Sequence, residues 1–343
     1  MEQKMPYILL DDNNQEELVD EKYFLHLLND LSLPESVLML RHQGVIGKEV
    51  RRFNPGWWYS YQKTPGSEKL LSGKGSKKHV PGVETLRIFS FGSCQLACPY
   101  CKRDMQEFAE ASVAPMRIRD LFRLAERTVR EGERIRLSGG DPSAFPRISL
   151  AIARYSTEVL GHKASIAHHS LAPNWLKSIS PYLLSAALDL KGTPDTILAV
   201  AGIVNRHADG NQIFNTALKG IRLAAESGIL LDVRTPVFAS TTLNDMRLLA
   251  NHLCEIAVAE KPIFWTWRPY KPVKHEIPAE YRTPLVSWEA PEKEKVMEMA
   301  IKVSRLFPKL PIGIKLAWNN AGMIYIHGAR IINEDMRMGW VLD

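Results

Sequence analysis

From Glu84 onward the chain alternates short apolar runs with stretches whose apolar residues recur at helical spacing. The apolar runs Leu86 to Phe91, Ile135 to Leu137, Ala164 to Ala167, Leu184 to Leu190, Ile229 to Val233 and Ile263 to Trp267 predict six strands. Between them, Arg117 to Val129, Ser149 to Leu160, Ile213 to Glu226 and Leu243 to Val258 predict amphipathic helices, with Gly228 as a C-terminal stop. A further helix is predicted over Glu292 to Leu306, followed by apolar runs near Ile312 to Leu316 and Met323 to Ile326. Strands that alternate with helices in this way form parallel sheets with helical crossovers. The expected class is α/β, and six such units fit a partial (β/α)6 barrel.

Residues 1–82 follow another pattern. One helix is predicted within Glu16 to Leu33, stopped by Pro34. Trp57-Trp58-Tyr59 follows the turn residues Pro55-Gly56, and Lys63, Lys69, Lys74, Lys77, Lys78 and His79 lie among glycines and serines. That stretch reads as an exposed basic loop, either a solvated linker or a cationic lip for an acidic or phosphate-bearing substrate. The expected division is an N-terminal extension over 1–82, a core over 83–310 and a C-terminal extension over 311–343.

Composition narrows the class only a little. The chain has 343 residues, 45% of them hydrophobic, and a formal net charge of +6. No apolar run reaches the ~18 residues a membrane span needs. The first residues lack the apolar segment of a secretory signal. Three of the four cysteines are clustered, which reads as a reducing, cytoplasmic setting.

That cluster, Cys94-Gln-Leu-Ala-Cys98-Pro-Tyr-Cys101, opens directly from the first predicted strand. Its spacing is too tight for a disulfide framework and suits thiolates converging on one metal centre. Soft sulfur ligands favour zinc, copper(I) or an iron–sulfur cluster. Three readings follow. One is an open metal centre with three protein thiolates. Another is a zinc module completed by His79, His168 or His169. The last is a Cys98–Cys101 redox dithiol, which leaves Cys94 unused. Cys254 stands alone on an amphipathic helix and reads as a buried apolar residue.

Cys-x3-Cys-x2-Cys with an aromatic before the last cysteine resembles the signature of radical S-adenosylmethionine (SAM) enzymes. The resemblance implies that Cys94, Cys98 and Cys101 hold a [4Fe-4S] cluster whose fourth iron is chelated by SAM. It implies one-electron cleavage of SAM to a 5′-deoxyadenosyl radical that abstracts hydrogen from a substrate, and a reductant such as flavodoxin or ferredoxin. Tyr100 matches the position whose ring lies near the adenine. Ser138-Gly139-Gly140-Asp141 is similar to the family's Gly-Gly-Glu segment, which contacts the methionyl amino group; here an aspartate stands for the glutamate. Asp189-Leu190-Lys191 and the segment around Arg234 resemble those of the glycyl-radical-enzyme activases, implying contacts to ribose and methionyl carboxylate. Catalytic groups of (β/α) barrels gather at the C-terminal ends of the strands, and every one of these segments falls at such an end. His168, Trp267 and Arg268 are expected toward the substrate. The substrate is a protein glycyl site, a peptide, RNA or a small molecule.

Overall fold

A computed structural model describes residues 17–40, 48–53, 83–101, 113–205, 207–257, 263–273, 275–315 and 323–333. Trp57-Trp58-Tyr59, the lysine-rich loop and His79 lie outside them.

Helix α1 (Glu21–Asp30) precedes strands β1 (Ser36–Leu40), β2 (Lys48–Phe53), β3 (Val83–Phe91) and β4 (Val113–Arg117). Helix α2 (Ile118–Arg130) leads to β5 (Arg134–Gly139), α3 (Pro146–Glu158) to β6 (Ala164–His168), and α4 (Pro173–Ile179) to β7 (Leu183–Asp189). Then come α5 (Ile197–Ala201), α6 (Gly210–Glu226), β8 (Leu230–Val237), α7 (Leu243–Ile256) and β9 (Phe264–Pro269). The chain continues through α8 (Lys293–Leu306), β10 (Ile312–Lys315), β11 (Met323–His327) and β12 (Arg330–Asn333).

Strands β3, β5, β6, β7, β8, β9 and β10 pair in that order, all parallel. The six expected parallel strands are therefore present, and β10 extends them. Antiparallel strands finish both edges, β11 and β12 beyond β10, and β1 and β4 beyond β3. The order runs from β12 to β4 without closing, so the sheet is an open, partial barrel. Strand β2 also pairs antiparallel with β3, which ties part of the expected N-terminal extension into the same sheet.

Period-2 alternation sorts the strand residues onto two faces. Ile135, Leu137, Ile166, Leu188, Val233 and Trp265 join the apolar core between sheet and helices. The alternate positions carry Arg136, Ser138, Ser165, Ser185, Asp189, Asp232 and Arg234. The concave face is thus polar, and its charges are paired across it. Thr266 donates to Asp232 Oδ1 at 2.5 Å, and Arg234 Nε donates to Asp232 Oδ2 at 2.7 Å. Among the described residues, no helix is long and apolar enough to cross a membrane.

Candidate metal and nucleotide site

Strand β3 delivers Cys94 to the C-terminal rim of the parallel sheet. The loop it opens is fastened by its own backbone and by the next strand. The Cys101 amide donates to the Cys98 carbonyl at 2.9 Å. From the end of β5, the Gly140 amide donates to the Phe91 carbonyl at 2.8 Å and the Asp141 amide to the Ser93 carbonyl at 2.7 Å. So close an approach explains the paired glycines. A Cβ on Gly139 would lie 2.2 Å from Phe91 N, and one on Gly140 would lie 1.9 Å from Ser93 O. Gly139 also has φ +109°, which L side chains rarely adopt.

The opposite side of the loop is closed by the turn after α5. Gly202 has φ +69°, and a Cβ there would lie 2.1 Å from the Ala97 carbonyl oxygen. Cys98 Sγ sits 3.6 Å from the Ala201 carbonyl. Three thiols from one loop, cradled between glycine-bearing turns, supply a soft and partly exposed donor set that fits an iron–sulfur cluster. Burial pushes the Cys94 thiol up to about 12, with help from nearby Asp141. Burial raises Cys98 to about 11 although the Lys191 charge opposes it. Without a cation these sulfurs stay protonated, so binding a metal there must release protons.

Behind Cys98, Tyr100 is buried with Val200, Phe238, Tyr270 and Val286. Lys191 Nζ donates to Tyr100 Oη at 3.2 Å and to Asp189 Oδ2 at 2.8 Å. Burial alone would lower the Lys191 ammonium's pKa; Asp189 and the neighbouring thiol and phenol outweigh that and hold it well above the usual lysine value. The Asp189 side chain keeps 30% of its surface open, against 7% for Lys191. The acid thus faces the rim opening while the ammonium is locked below it. Arg268 lies on the same concave face as Arg234. Burial lowers its pKa to about 10, and Arg234's charge adds to the effect.

Two expectations are corrected. Trp267 does not line the mouth: it alternates with Thr266 and Arg268 and turns to the helix layer, fully buried and 5.1 Å from the Trp265 ring. His168 shares the outward face with Ala164 and Ile166, its ring 4.9 Å from Trp175. Asp141 is 2% exposed, and its carboxylate is hydrogen-bonded within the fold to His168 Nδ1 and the His169 amide.

The remaining expected positions, Tyr100, Ser138, Gly139, Gly140, Asp189, Lys191, Arg234 and Arg268, do meet at this rim. Sequence reasoning missed Gln95, Ser143, Gly202 and His275, whose Nε2 lies 2.8 Å from the Pro99 carbonyl. Only Gly202 carried a local signal, a glycine directly after the short apolar run Ile197–Ala201.

A family model for the radical SAM superfamily matches residues 88–253. Residues 88–253 therefore form a domain of the radical SAM type. No curated protein matches it in sequence. Among solved structures, SuiB of Streptococcus suis bound to S-adenosylmethionine is 14% identical, with a TM-score of 0.52 over 68% of this chain and 50% of its own. The chain therefore spans about half the length of SuiB. Methylornithine synthase (PylB) is 16% identical with a TM-score of 0.47, covering 84% of this chain and 74% of its own. A domain of pyruvate-formate lyase-activating enzyme from Bacteroides vulgatus is 16% identical with a TM-score of 0.38, covering 53% and 98%. At these identities the likeness concerns the fold. The match supports an enzyme of the radical SAM type, and the family implies SAM and a [4Fe-4S] cluster.

Proposed function

We propose that Cys94, Cys98 and Cys101 hold a [4Fe-4S] cluster, that SAM binds over the adjoining rim, and that a substrate hydrogen is abstracted there. When bound, the cluster supplies the electron that splits SAM to methionine and a 5′-deoxyadenosyl radical. The observation that carries the reading is the convergence of the cysteine loop, Gly139-Gly140, Asp189-Lys191 and Arg234 on one rim of an open parallel sheet.

In this reading each side chain has a binding task. The β5 rim, Ser138 to Gly140, meets the methionyl end through its backbone, since the Asp141 carboxylate is engaged elsewhere. Asp189 presents its open oxygen to ribose hydroxyls, while Lys191 fixes both that carboxylate and the Tyr100 ring. Asp232 holds the Arg234 Nε at 2.7 Å, orienting the guanidinium fork toward a carboxylate. Arg268, next to it, addresses the substrate. The Asp-x-Lys and Arg234 segments resemble those of the glycyl-radical activases. The electron would come from a small donor such as flavodoxin or ferredoxin.

Anaerobic incubation of iron-reconstituted protein with SAM and a strong reductant tests the assignment. The wild type yields 5′-deoxyadenosine and Cys98→Ala yields none; a variant that still cleaves SAM would show that the ligands are wrongly assigned.

A further inference from the structure

The carboxylate of Asp141 belongs to a closed ring of hydrogen bonds. Its Oδ1 accepts from the Ser143 amide at 2.9 Å and the Ser143 hydroxyl at 2.7 Å, with His168 Nδ1 at 2.7 Å. Its Oδ2 accepts from the His169 amide at 3.0 Å. The Leu171 amide donates to His169 Nδ1 at 3.0 Å, so the proton of the neutral ring sits on Nε2. That Nε2 donates to Gln95 Oε1 at 3.1 Å. The Gln95 amide nitrogen donates to Ser143 Oγ at 3.1 Å, and the ring closes.

Gln95 follows Cys94 in the chain, and Ser93 precedes it. The Ser93 carbonyl accepts from the Asp141 amide at 2.7 Å. Both neighbours of Cys94 are therefore held through one residue, on one side by its backbone and on the other by its side chain through His169 and Ser143. Asp141-Pro142-Ser143 already favours this use, because an aspartate before a proline caps the turn that follows.

We infer that Asp141 is a positioning residue that fixes Cys94 from both sides through Ser93, Gln95, His169 and Ser143, and that it is not a direct SAM ligand. The inference rests on the cluster reading above. Partners beyond the metal ligands set ligand orientation, and their loss weakens metal binding about 10- to 100-fold. Aspartate instead of glutamate follows from the ring's geometry: one more methylene would carry the carboxylate past the His169 amide in a fully buried space.

The test compares wild type, Gln95→Ala and Asp141→Glu, each reconstituted anaerobically without SAM. Gln95 is half-buried on a loop, so its truncation leaves the fold intact, and its thermal midpoint serves as the check. The expected result is iron release to a chelator about 10-fold faster in both variants, with shifted electron paramagnetic resonance g-values of the reduced cluster. Release within twofold of wild type and an unchanged spectrum in Gln95→Ala would overturn the inference. So would an Asp141→Glu protein that keeps wild-type release and binds SAM more tightly, as a direct ligand should. Wild type that takes up no iron sinks the cluster reading itself, before any variant is compared.

Discussion

Gly140→Ala tests how the site is built. The new Cβ would sit 1.9 Å from the Ser93 carbonyl oxygen and 2.4 Å from its carbon, both backbone atoms next to Cys94. Real Cβ atoms do not approach within 3.0 Å, so the cysteine loop or the end of β5 must move by more than an ångström. Forcing a methyl into a packed site costs about 1–3 kcal/mol. A displacement of about 1 Å at reacting groups can cost about 100-fold in rate. Gly161→Ala is the control: its φ of +70° brings strain of roughly 1–2 kcal/mol, with nothing within 4 Å of the added carbon. Both variants are expected to melt earlier. Only Gly140→Ala should lose 5′-deoxyadenosine formation, by about two orders of magnitude, with poor iron uptake. If Gly140→Ala turned over SAM at the wild-type rate, the close approach of β5 to the cysteine loop would not be what positions the site.

Other outcomes follow from the same geometry. Lys191→Met removes the ammonium that fixes both Tyr100 and Asp189, so SAM affinity of the cluster-loaded protein should fall at least about tenfold by calorimetry, a charged hydrogen bond being worth about 1.5–3 kcal/mol; unchanged affinity contradicts the assigned role. Trp267→Phe should cost about 1–3 kcal/mol in urea unfolding yet leave SAM cleavage within twofold, because the ring lies in the helix-facing core. Burial lowers His169 to about 4, against 6.5 for a free histidine. The unfolded chain therefore takes up a proton that the native ring refuses as pH falls through 6.5 toward 4, so stability is full above this window and declines within it. At pH 5 the loss relative to pH 7 is about 2 kcal/mol, read as the difference in urea unfolding between wild type and His169→Gln; equal pH slopes would contradict it.

The parallel core was legible because each unit repeats one rule: a short apolar run, then apolar residues at helical spacing. The edges were less so. Strand β4, Val113–Arg117, contains Pro115, which a strand tolerates only at an edge, and β2, Lys48–Phe53, is mostly charged. Such strands are made by their partners, β1 for β4 and β3 for β2, and not by their own pattern. At the site, chain order located the loops well, since strand ends share one rim. Orientation was the harder part. Neighbouring residues on a strand face opposite ways, so Trp267 and Arg268 could not both line the mouth. Period 2 says which residues share a face but not which face is the concave one. The packing of Ile135, Ile166, Val233 and Trp265 into one core with the helices settles that. Asp141 resembles a SAM-contacting acid in sequence, while its place before Pro142-Ser143 also fits a turn cap, and the cap is the contact the structure shows.

Mössbauer spectroscopy of iron-57-reconstituted protein, with and without SAM, tests the proposed open corner of the cluster directly. Three cysteine-held irons and one open corner predict that SAM changes the parameters of one iron in four and leaves the other three alone. Four equivalent irons that ignore SAM would contradict the account.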